Sequence, residues 1–364
     1  MKKISKAVAL ILTLALMLTI LAACGGGTTT QSQAPQTSAP ETGAPESSAP
    51  SGAAQDPVTL QWAFTPPSGS MDEKWHMHIG DLISEYTSGA VTYEYYPNST
   101  LGNEKVALEG VLSGTITQAS ISPNVIATVL PEFNILCLPF AFDSLEHFNK
   151  VISSDEYYEK MNEVANAVGL QYLGVDLAIP RNISTDKPVY TPADANGEVL
   201  RVMDGSIYTD MMALWGFGSS VISYGEVYTA LQQGVVDGVE NSNDGNLTMK
   251  FYEVVDYTTN TYHVYHGQHA VMNLDVWNSL TKETQESIRQ AWKDTYPALL
   301  EELVPYVQEA SDSIAEKGGV TIIDLDEEQR QAWIDASQPL YEKYSGVIGE
   351  DFYNWFMEFV DSMR

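Results

Sequence analysis

The order of strands and helices along the chain constrains its fold more than any other feature. Apolar residues alternate over residues 58–64, as they do in a half-buried strand. The elements that follow are a helix from about Met71 to Gly89, a strand at 91–96, a helix at 104–113 and a strand at 115–121. This β-α-β-α-β series predicts an α/β sheet with binding loops at the carboxyl ends of its strands.

A second α/β unit is predicted further along the chain. Its elements are a strand at 199–203, a helix at 206–214, a strand at 219–223 and a helix at 226–233, which Gly234 ends. From Pro57 onwards the chain is too long for one ordinary hydrophobic core, so two domains are expected.

A mainly helical region begins at about residue 282. Its first stretch, residues 282–317, is interrupted only by Pro297 and Pro305. Because proline bends a helix without always ending it, this stretch predicts one long, bent helix that crosses both domains.

The first 23 residues read as a targeting segment. Three lysines precede an apolar run at residues 7–23, which ends in small residues just before Cys24. This pattern resembles the bacterial lipoprotein signal, in which the chain is cut before the cysteine and the thiol is acylated. An uncleaved membrane anchor is the alternative, because the apolar run lies near the short limit of a spanning helix. Either interpretation predicts an extracytoplasmic protein held at the outer face of the cell membrane, or in the periplasm.

Residues 24–56 are predicted to form the lipid anchor and a disordered tether. Ala-Pro pairs recur there among Ser, Thr, Gly and Gln, and large apolar residues are almost absent. Such a composition cannot bury enough apolar surface to fold by itself.

The charge of the chain is strongly negative. Lys and Arg together number 18 against 48 Asp and Glu, which gives a formal net charge of −30. Nucleic acid is therefore not expected as a partner. Long-range repulsion of an anionic ligand is screened beyond about 8 Å at physiological ionic strength, so a carboxylate ligand is compatible with this charge if arginines line the site.

No signature of a common enzyme or metal site occurs in the sequence. The serine-hydrolase elbow, the dinucleotide and phosphate loops and the HExxH zinc motif are all missing. His76 and His78 stand two positions apart, which does not suit chelation from a helix. Cys137 has no second thiol or histidine cluster near it in the sequence and is interpreted as a core residue. We therefore expect no catalytic residue, cofactor or metal.

Two arginines stand in apolar surroundings. Arg181 follows Ile179-Pro180 after a predicted strand, and Arg201 lies within the apolar strand 199–203. A guanidinium does not enter such a setting without a partner. The partner is either an internal carboxylate or the carboxylate of a ligand, and residue chemistry alone leaves both interpretations open.

Four motifs in fixed order resemble one family. They are YPNSTLG at 96–102, LPF at 138–140, LRV at 200–202 and EVYTALQQGVVDGVEN at 226–241, which KFYEV at 250–254 follows. Together they look like the solute-binding proteins of tripartite ATP-independent periplasmic (TRAP) transporters, over essentially all of residues 58–345. The run at 226–241 argues against a binding protein of the ABC type.

The resemblance implies a two-lobed, periplasmic-binding-protein-like α/β fold with crossing strands and a long C-terminal helix that spans both domains. Lobe I would comprise residues 57–178 and 267–306, and lobe II residues 179–266 and 307–364. Such proteins close on a small organic acid and deliver it to two membrane subunits. A sensory module of the same fold and an extracytoplasmic enzyme are the alternatives.

The resemblance also implies the ligand-binding residues. Arg201 matches the arginine that binds the ligand carboxylate, and Arg181 matches a second arginine that often assists it. Asn241 matches the amide that orients the same carboxylate or its neighbour. Tyr224 stands where an aromatic residue packs over the ligand, and Ser122 and Thr65 stand on the facing wall. Departures from the family pattern include Thr117, Met203 and Ser242, and they leave the far end of the ligand open, toward an apolar or aromatic acid.

Overall fold

The first α/β unit follows the order that the sequence predicts. The computed structural model describes residues 55–195 and 197–364, so Cys24, the predicted leader and nearly all of the tether lie outside it. The elements of this unit are β1 (Val58–Ala63), α1 (Met71–Tyr86), β2 (Val91–Tyr96), α2 (Glu104–Ser113) and β3 (Gln118–Ile121). Strand β1 pairs in parallel with both β2 and β3, as a β-α-β-α-β series requires.

Local capping explains where the helices of this unit begin and end. The side chain of Ser70 accepts a hydrogen bond from the backbone N–H of Glu73, and Asn103 does the same for Val106. Helix α2 ends at Gly114, whose φ of 76° is the left-handed conformation that glycine adopts without steric cost.

A helical connection and one long strand follow. Their bounds are α3 (Pro123–Ile126), α4 (Leu145–Ile152), α5 (Asp155–Asn166) and β4 (Leu170–Thr185), with a 3₁₀ helix at Pro131–Cys137. The sequence places Arg181 after a strand, and this prediction is wrong, because β4 continues through Pro180 and Arg181 to Thr185. Pro180 is tolerated there because β4 changes its pairing partner immediately after it.

The second α/β unit lies beyond β4 in the chain. Its elements are β5 (Val199–Val202), α6 (Ser206–Leu214), β6 (Gly218–Val221), α7 (Val227–Gln232), β7 (Gly238–Ser242), α8 (Asn243–Thr248) and β8 (Tyr257–Asn260), with 3₁₀ turns at Pro192–Ala195, Tyr224–Glu226 and Phe251–Glu253. Strand β5 pairs in parallel with β6 and β7, as predicted for a second α/β unit.

The chain ends in one more long strand and a helical region. The elements are β9 (Tyr265–Asn273), α9 (Leu274–Ser279), α10 (Lys282–Gly318), β10 (Thr321–Asp324), α11 (Glu327–Ile348) and α12 (Glu350–Ser362). The predicted long helix is confirmed, because α10 continues through both Pro297 and Pro305. Among the described residues, none of the helices is both long and apolar enough to cross a membrane.

Two long antiparallel strands connect the α/β units. The strand order is β2-β1-β3-β9-β4-β7-β5-β6. Strand β4 pairs with β9 over residues 170–180 and then with β7 and β8 over residues 181–185. The predicted crossing strands are therefore β4 and β9, and Arg181 lies where β4 passes from one unit to the other.

The hydrophobic core has a large and a small part. The large cluster extends from Leu60 to Val360 and includes Trp62, Trp292 and Trp333. The small cluster surrounds Phe251. Because the large cluster contains residues of both predicted lobes, the lobe boundaries stay a prediction.

Candidate functional site

One cavity brings together the six residues predicted to bind a ligand. It has a volume of about 480 Å³ and is lined by residues from both α/β units and from β4 and β9. The six are Thr65, Ser122, Arg181, Arg201, Tyr224 and Asn241. Four of them lie at the carboxyl ends of parallel strands: Thr65 and Ser122 follow β1 and β3, and Arg201 and Asn241 each lie one residue before the end of β5 and β7.

Arg201 is a buried cation whose charge is not compensated within the described chain. Its side chain, on β5, is only 3% exposed. The Nε atom donates to the backbone oxygen of Ile222 at 2.9 Å, and the buried Nη1 atom has no hydrogen-bond partner among residues 55–195 and 197–364. Burial and then the charge of Arg181 lower the pKa of Arg201 to about 10. The guanidinium therefore stays charged at neutral pH and has no ion-pair partner in the part of the chain that the structure describes.

Arg181, in contrast, is already paired. Its Nη2 atom donates to Glu240 Oε2 at 2.8 Å and to the Glu240 backbone oxygen at 2.8 Å, and its Nε atom donates to Glu240 Oε1. Burial works to lower the pKa of Arg181, but the charge of Glu240 outweighs it and raises that pKa. Of the two partners that the sequence allowed for Arg181, the internal carboxylate is present, and it is that of Glu240. A direct contact of Arg181 with a ligand stays a prediction.

Tyr224 lies beside Arg201, and Asn241 lies on β7, the strand that pairs with β5. Tyr224 lies in the 3₁₀ turn after β6, with its ring centroid 5.8 Å from the Arg201 guanidinium carbon. Asn241 is 4% exposed near the end of β7, and its Nδ2 atom donates to Asn246 Oδ1 at 3.3 Å. An amide next to a guanidinium gives two donors for one anionic group.

Ser122 belongs to a polar network on the opposite wall. Its Oγ atom donates to Glu104 Oε1 at 2.9 Å and lies 3.2 Å from His266 Nε2, while Gln268 Nε2 donates to the same Glu104 oxygen at 2.8 Å. Burial raises the pKa of Glu104. Burial and then the charge of Arg181 lower the pKa of His266, so this imidazole is neutral. Thr65 lies just after β1 on the same wall.

Five acidic residues that line the cavity were missed by the sequence analysis: Asp72, Glu104, Asp204, Glu226 and Asp244. Three of them lie in the first turn of a helix: Asp72 in α1, Glu104 in α2 and Asp244 in α8. Acidic residues are common in first turns because they interact favourably with the positive end of the helix dipole. Sequence alone therefore does not distinguish these three from ordinary capping residues.

Asp72 and Asp244 lie close enough to influence each other. Burial and then the charge of Asp244 raise the pKa of Asp72 to about 7. Burial also raises the pKa of Asp244, although Tyr306 donates a hydrogen bond to its Oδ1 atom. Near neutral pH the two carboxyls therefore carry a proton for part of the time.

The two histidines weighed for metal binding are separated in the structure. His76 is fully buried, with Nε2 2.7 Å from Asp176 Oδ2, whereas His78 is exposed. Within residues 55–195 and 197–364, no group of three or more His, Cys, Asp or Glu side chains is placed to hold a metal ion. Burial raises the pKa of the Cys137 thiol, as in an unreactive core cysteine.

Comparison with known proteins identifies similar chains. The profile of the family described as bacterial extracellular solute-binding protein, family 7, matches residues 64–346. A solute-binding protein of Chromohalobacter salexigens is 29% identical over 288 residues, which is 78% of this chain and 83% of that one. A C4-dicarboxylate-binding periplasmic protein of Vibrio cholerae is 28% identical over 271 residues, 74% of this chain and 80% of that one.

The fold is also similar to solved structures. A TRAP periplasmic solute-binding protein from Chromohalobacter salexigens, solved with bound D-glucuronate, superimposes with a TM-score of 0.77 at 25% identity. The match covers 84% of this chain and all of that one.

Proposed function

The chain belongs to family 7 of the bacterial extracellular solute-binding proteins, and from this premise we propose that it is the receptor subunit of a TRAP transporter. It captures a small organic acid in the cavity between its α/β units, closes on it, and delivers it to the membrane subunits. One observation carries the proposal: Arg201 is buried at the wall of the cavity, stays charged, and forms no ion pair with any of the residues that the structure describes. A ligand carboxylate supplies the missing counter-ion.

The origin of the lining residues supports capture by closure. Thr65 and Ser122 come from the first α/β unit, whereas Arg201, Tyr224 and Asn241 come from the second. A ligand that contacts both groups stabilises the arrangement in which they face each other, because ligand binding shifts a conformational equilibrium toward the state it prefers.

Calorimetry on an Arg201→Gln variant tests the carboxylate site. The ligand is first identified by mass spectrometry of molecules released from the denatured, freshly purified protein and by a thermal-shift screen of organic acids that includes D-glucuronate and L-malate. Loss of a buried charge partner typically costs about 2–5 kcal/mol, so we expect affinity to fall by roughly thirtyfold or more.

Arg330→Gln is the matched control, because Arg330 lies outside the cavity and donates to the Thr261 backbone oxygen. Its affinity should equal that of the unmodified protein. Equal affinity in the Arg201→Gln variant, or a ligand that has no carboxylate, refutes this assignment.

We place the protein outside the cytoplasm, tethered through acylated Cys24. Support comes from the lipoprotein-like residues before Cys24 and from the extracellular family to which the chain belongs. A Cys24→Ala variant should move from the membrane fraction to the soluble extracytoplasmic fraction and lose incorporation of labelled palmitate. Retention of the variant in the membrane fraction, with no palmitate label in either protein, argues for an uncleaved anchor instead.

Delivery to membrane subunits is tested by uptake of the radiolabelled ligand into cells that carry the two permease components. Uptake should require this chain and should fall in the Arg201→Gln variant. Uptake that proceeds equally well without the chain favours a sensory role.

A further inference from the structure

The charges that line the cavity are unequal. Arg181 is neutralised by Glu240, so the lining cations that remain are the buried Arg201 and the exposed Lys105. Five carboxyl groups also line the cavity, and none of them forms an ion pair within the described part of the chain; they belong to Asp72, Glu104, Asp204, Glu226 and Asp244. Carboxyl groups therefore outnumber the two unpaired cations in a partly enclosed space where charges are weakly screened.

Asp72 and Asp244 form the acidic end of the cavity. Asp72 comes from α1 and Asp244 from α8, so the two carboxyls belong to different α/β units. The other charged groups that act on Asp72 are His76 and Asp176, which are bonded to each other. Tyr306 on α10 bonds to Asp244 and carries no positive charge. No cation in the described chain faces this pair at bonding distance.

Tyr224 lies near both Arg201 and the two carboxyl groups. The centre of its ring is 5.8 Å from the Arg201 guanidinium carbon. Burial, and then the charges of Asp244 and Asp72, raise the pKa of the Tyr224 hydroxyl. Asn241 and Asp244 are three residues apart, so their Cα atoms are separated by at most about 11 Å. One small molecule is long enough to reach both ends.

We propose that the ligand is a small zwitterion, with its carboxylate bound by Arg201 and Asn241 and a protonated amine bound between Asp72 and Asp244. This inference rests on the proposed function and specifies its ligand. Two independent features support it: the buried Nη1 atom of Arg201 has no hydrogen-bond partner among the described residues, which favours an anion, and Asp72 and Asp244 line the same cavity without an ion-pair partner among those residues, which favours a cation. A dicarboxylate would place its second negative charge beside two carboxyls, which is unfavourable.

Binding assays with matched compounds test this inference on the full-length chain. Each series keeps one carbon skeleton and changes only the group at the far end. The probes are 4-aminobutyrate, 4-hydroxybutyrate and succinate; 5-aminovalerate, 5-hydroxyvalerate and glutarate; and alanine and lactate, with D-glucuronate added. We expect at least one amino acid to bind tenfold or more tightly than its hydroxy and dicarboxylate counterparts.

The outcomes separate this inference from the proposed function. If D-glucuronate, a hydroxy acid or a dicarboxylate binds and every amino acid binds more weakly than its counterparts, the zwitterion is refuted and the carboxylate receptor stands. If none of the carboxylates binds, both proposals fail.

Variants locate the amine subsite. Asp72→Asn and Asp244→Asn should each weaken binding of the selected amino acid tenfold or more, while binding of its hydroxy counterpart changes by less than threefold. Glu109→Gln is the control, because Glu109 is exposed on α2 outside the cavity and loses the same charge. Equal losses for both ligands mean that the variants disturb the cavity as a whole and refute a specific amine contact.

Proton release gives a readout that needs no variant. At about pH 6, Asp72 is mostly protonated because its pKa is about 7, and binding of an ammonium group displaces that proton. Calorimetry in two buffers of different ionisation enthalpy should show release approaching one proton per ligand, and affinity should rise with pH up to about 7. Binding of the amino acid with no proton release, or with proton uptake, contradicts the proposal.

Discussion

Arg181 and Arg201 show how one residue type takes two roles at neighbouring positions. Both are almost completely buried, and the charge of each acts on the other. Arg181 is held by Glu240, 59 residues further along the chain, whereas Arg201 faces the cavity without an ion-pair partner in the described residues. Sequence chemistry predicted that each guanidinium needs an anion, but it could not assign Glu240, because that contact depends on the pairing of β4 with β7.

Arg181→Met should strongly destabilise the protein. The substitution leaves the fully buried Glu240 carboxylate without its main counter-ion, and breaking one partner of a buried pair typically costs about 3–5 kcal/mol. Denaturant unfolding measures this change. The double variant Arg181→Met, Glu240→Leu should recover most of the loss, because no isolated charge remains.

Lys74→Met is the control for this experiment. Lys74 pairs with Glu302 at the surface, with 59% of its side chain exposed, so its loss should cost at most about 1 kcal/mol. A double variant that is as unstable as Arg181→Met alone would show that packing, rather than charge, causes the destabilisation.

Histidine burial makes stability depend on pH. Burial lowers the pKa of His269 to about 3, whereas the unfolded residue has a pKa near 6.5. Between these values the unfolded chain binds a proton that the folded chain does not, so stability falls as the pH drops below about 6.5. From pH 7 to about pH 5 this residue alone should cost up to about 2 kcal/mol.

Thermal unfolding across this pH range measures the effect. His269→Phe should flatten the pH dependence, because the imidazole packs against Phe133 and Tyr172 and phenylalanine fills similar space. His78→Gln should leave the dependence unchanged, since His78 is exposed. A pH profile that is the same in His269→Phe and in the unmodified protein would contradict this explanation.

At the scale of elements, the packing of α10 on β4 depends on Gly174. A Cβ atom built at this position would lie 2.4 Å from Trp292 and 2.6 Å from the Tyr296 hydroxyl, and Trp292 is fully buried. Neither ring has room to move away. Gly174→Ala should therefore destabilise the protein by about 1–3 kcal/mol through overpacking.

The same substitution at Gly346 should have the opposite effect on the free energy of unfolding. Gly346 lies inside α11 with no atom within 4 Å of the built Cβ, so alanine should stabilise the helix by about 0.5–1 kcal/mol. Denaturant midpoints compare the two variants. Equal shifts would show that helix or strand propensity, and not the contact of β4 with α10, determines the outcome.

The elements that the sequence predicted correctly are those in which apolar residues recur with a clear helical or strand period. Strand β1 and helices α1 and α2 bury one regular face, and their boundaries follow from cap residues such as Asn103. Long-range pairing was harder to foresee, as the continuation of β4 through Arg181 shows. The cavity-lining residues on strands were found through the family resemblance, and their role in binding stays a prediction. Asp72 and Asp244 resemble helix-capping acids, and only the structure shows that they line the same cavity.

At the scale of the whole molecule, the cavity lies where the two α/β units share strands. Strand β4 contributes Leu177, Ile179 and Arg181 to its lining, and β9 contributes His266 and Gln268. The same two strands connect the units, so a ligand at this position contacts both units and the connection between them. This location suits a receptor whose shape reports whether it is occupied.

The net charge of −30 should make the association rate of anionic ligands depend on salt. At low ionic strength the Debye length is about 30 Å, so an approaching anion meets the repulsion of the whole molecule before it reaches Arg201. At about 0.15 M the Debye length falls to about 8 Å, and only the charges near the cavity still act. We therefore expect the association rate constant of 4-hydroxybutyrate to rise several-fold over this range.

Stopped-flow tryptophan fluorescence measures these rates, and 4-aminobutyrate is the matched control. Because this zwitterion has no net charge, the repulsion acts on it weakly and its association rate constant should change less than twofold. If the rate constant of the anion instead falls as salt is added, the field of Arg201 extends beyond the cavity and outweighs the acidic surface. In that case attraction by the site, rather than repulsion by the molecule, determines how fast an anion is captured.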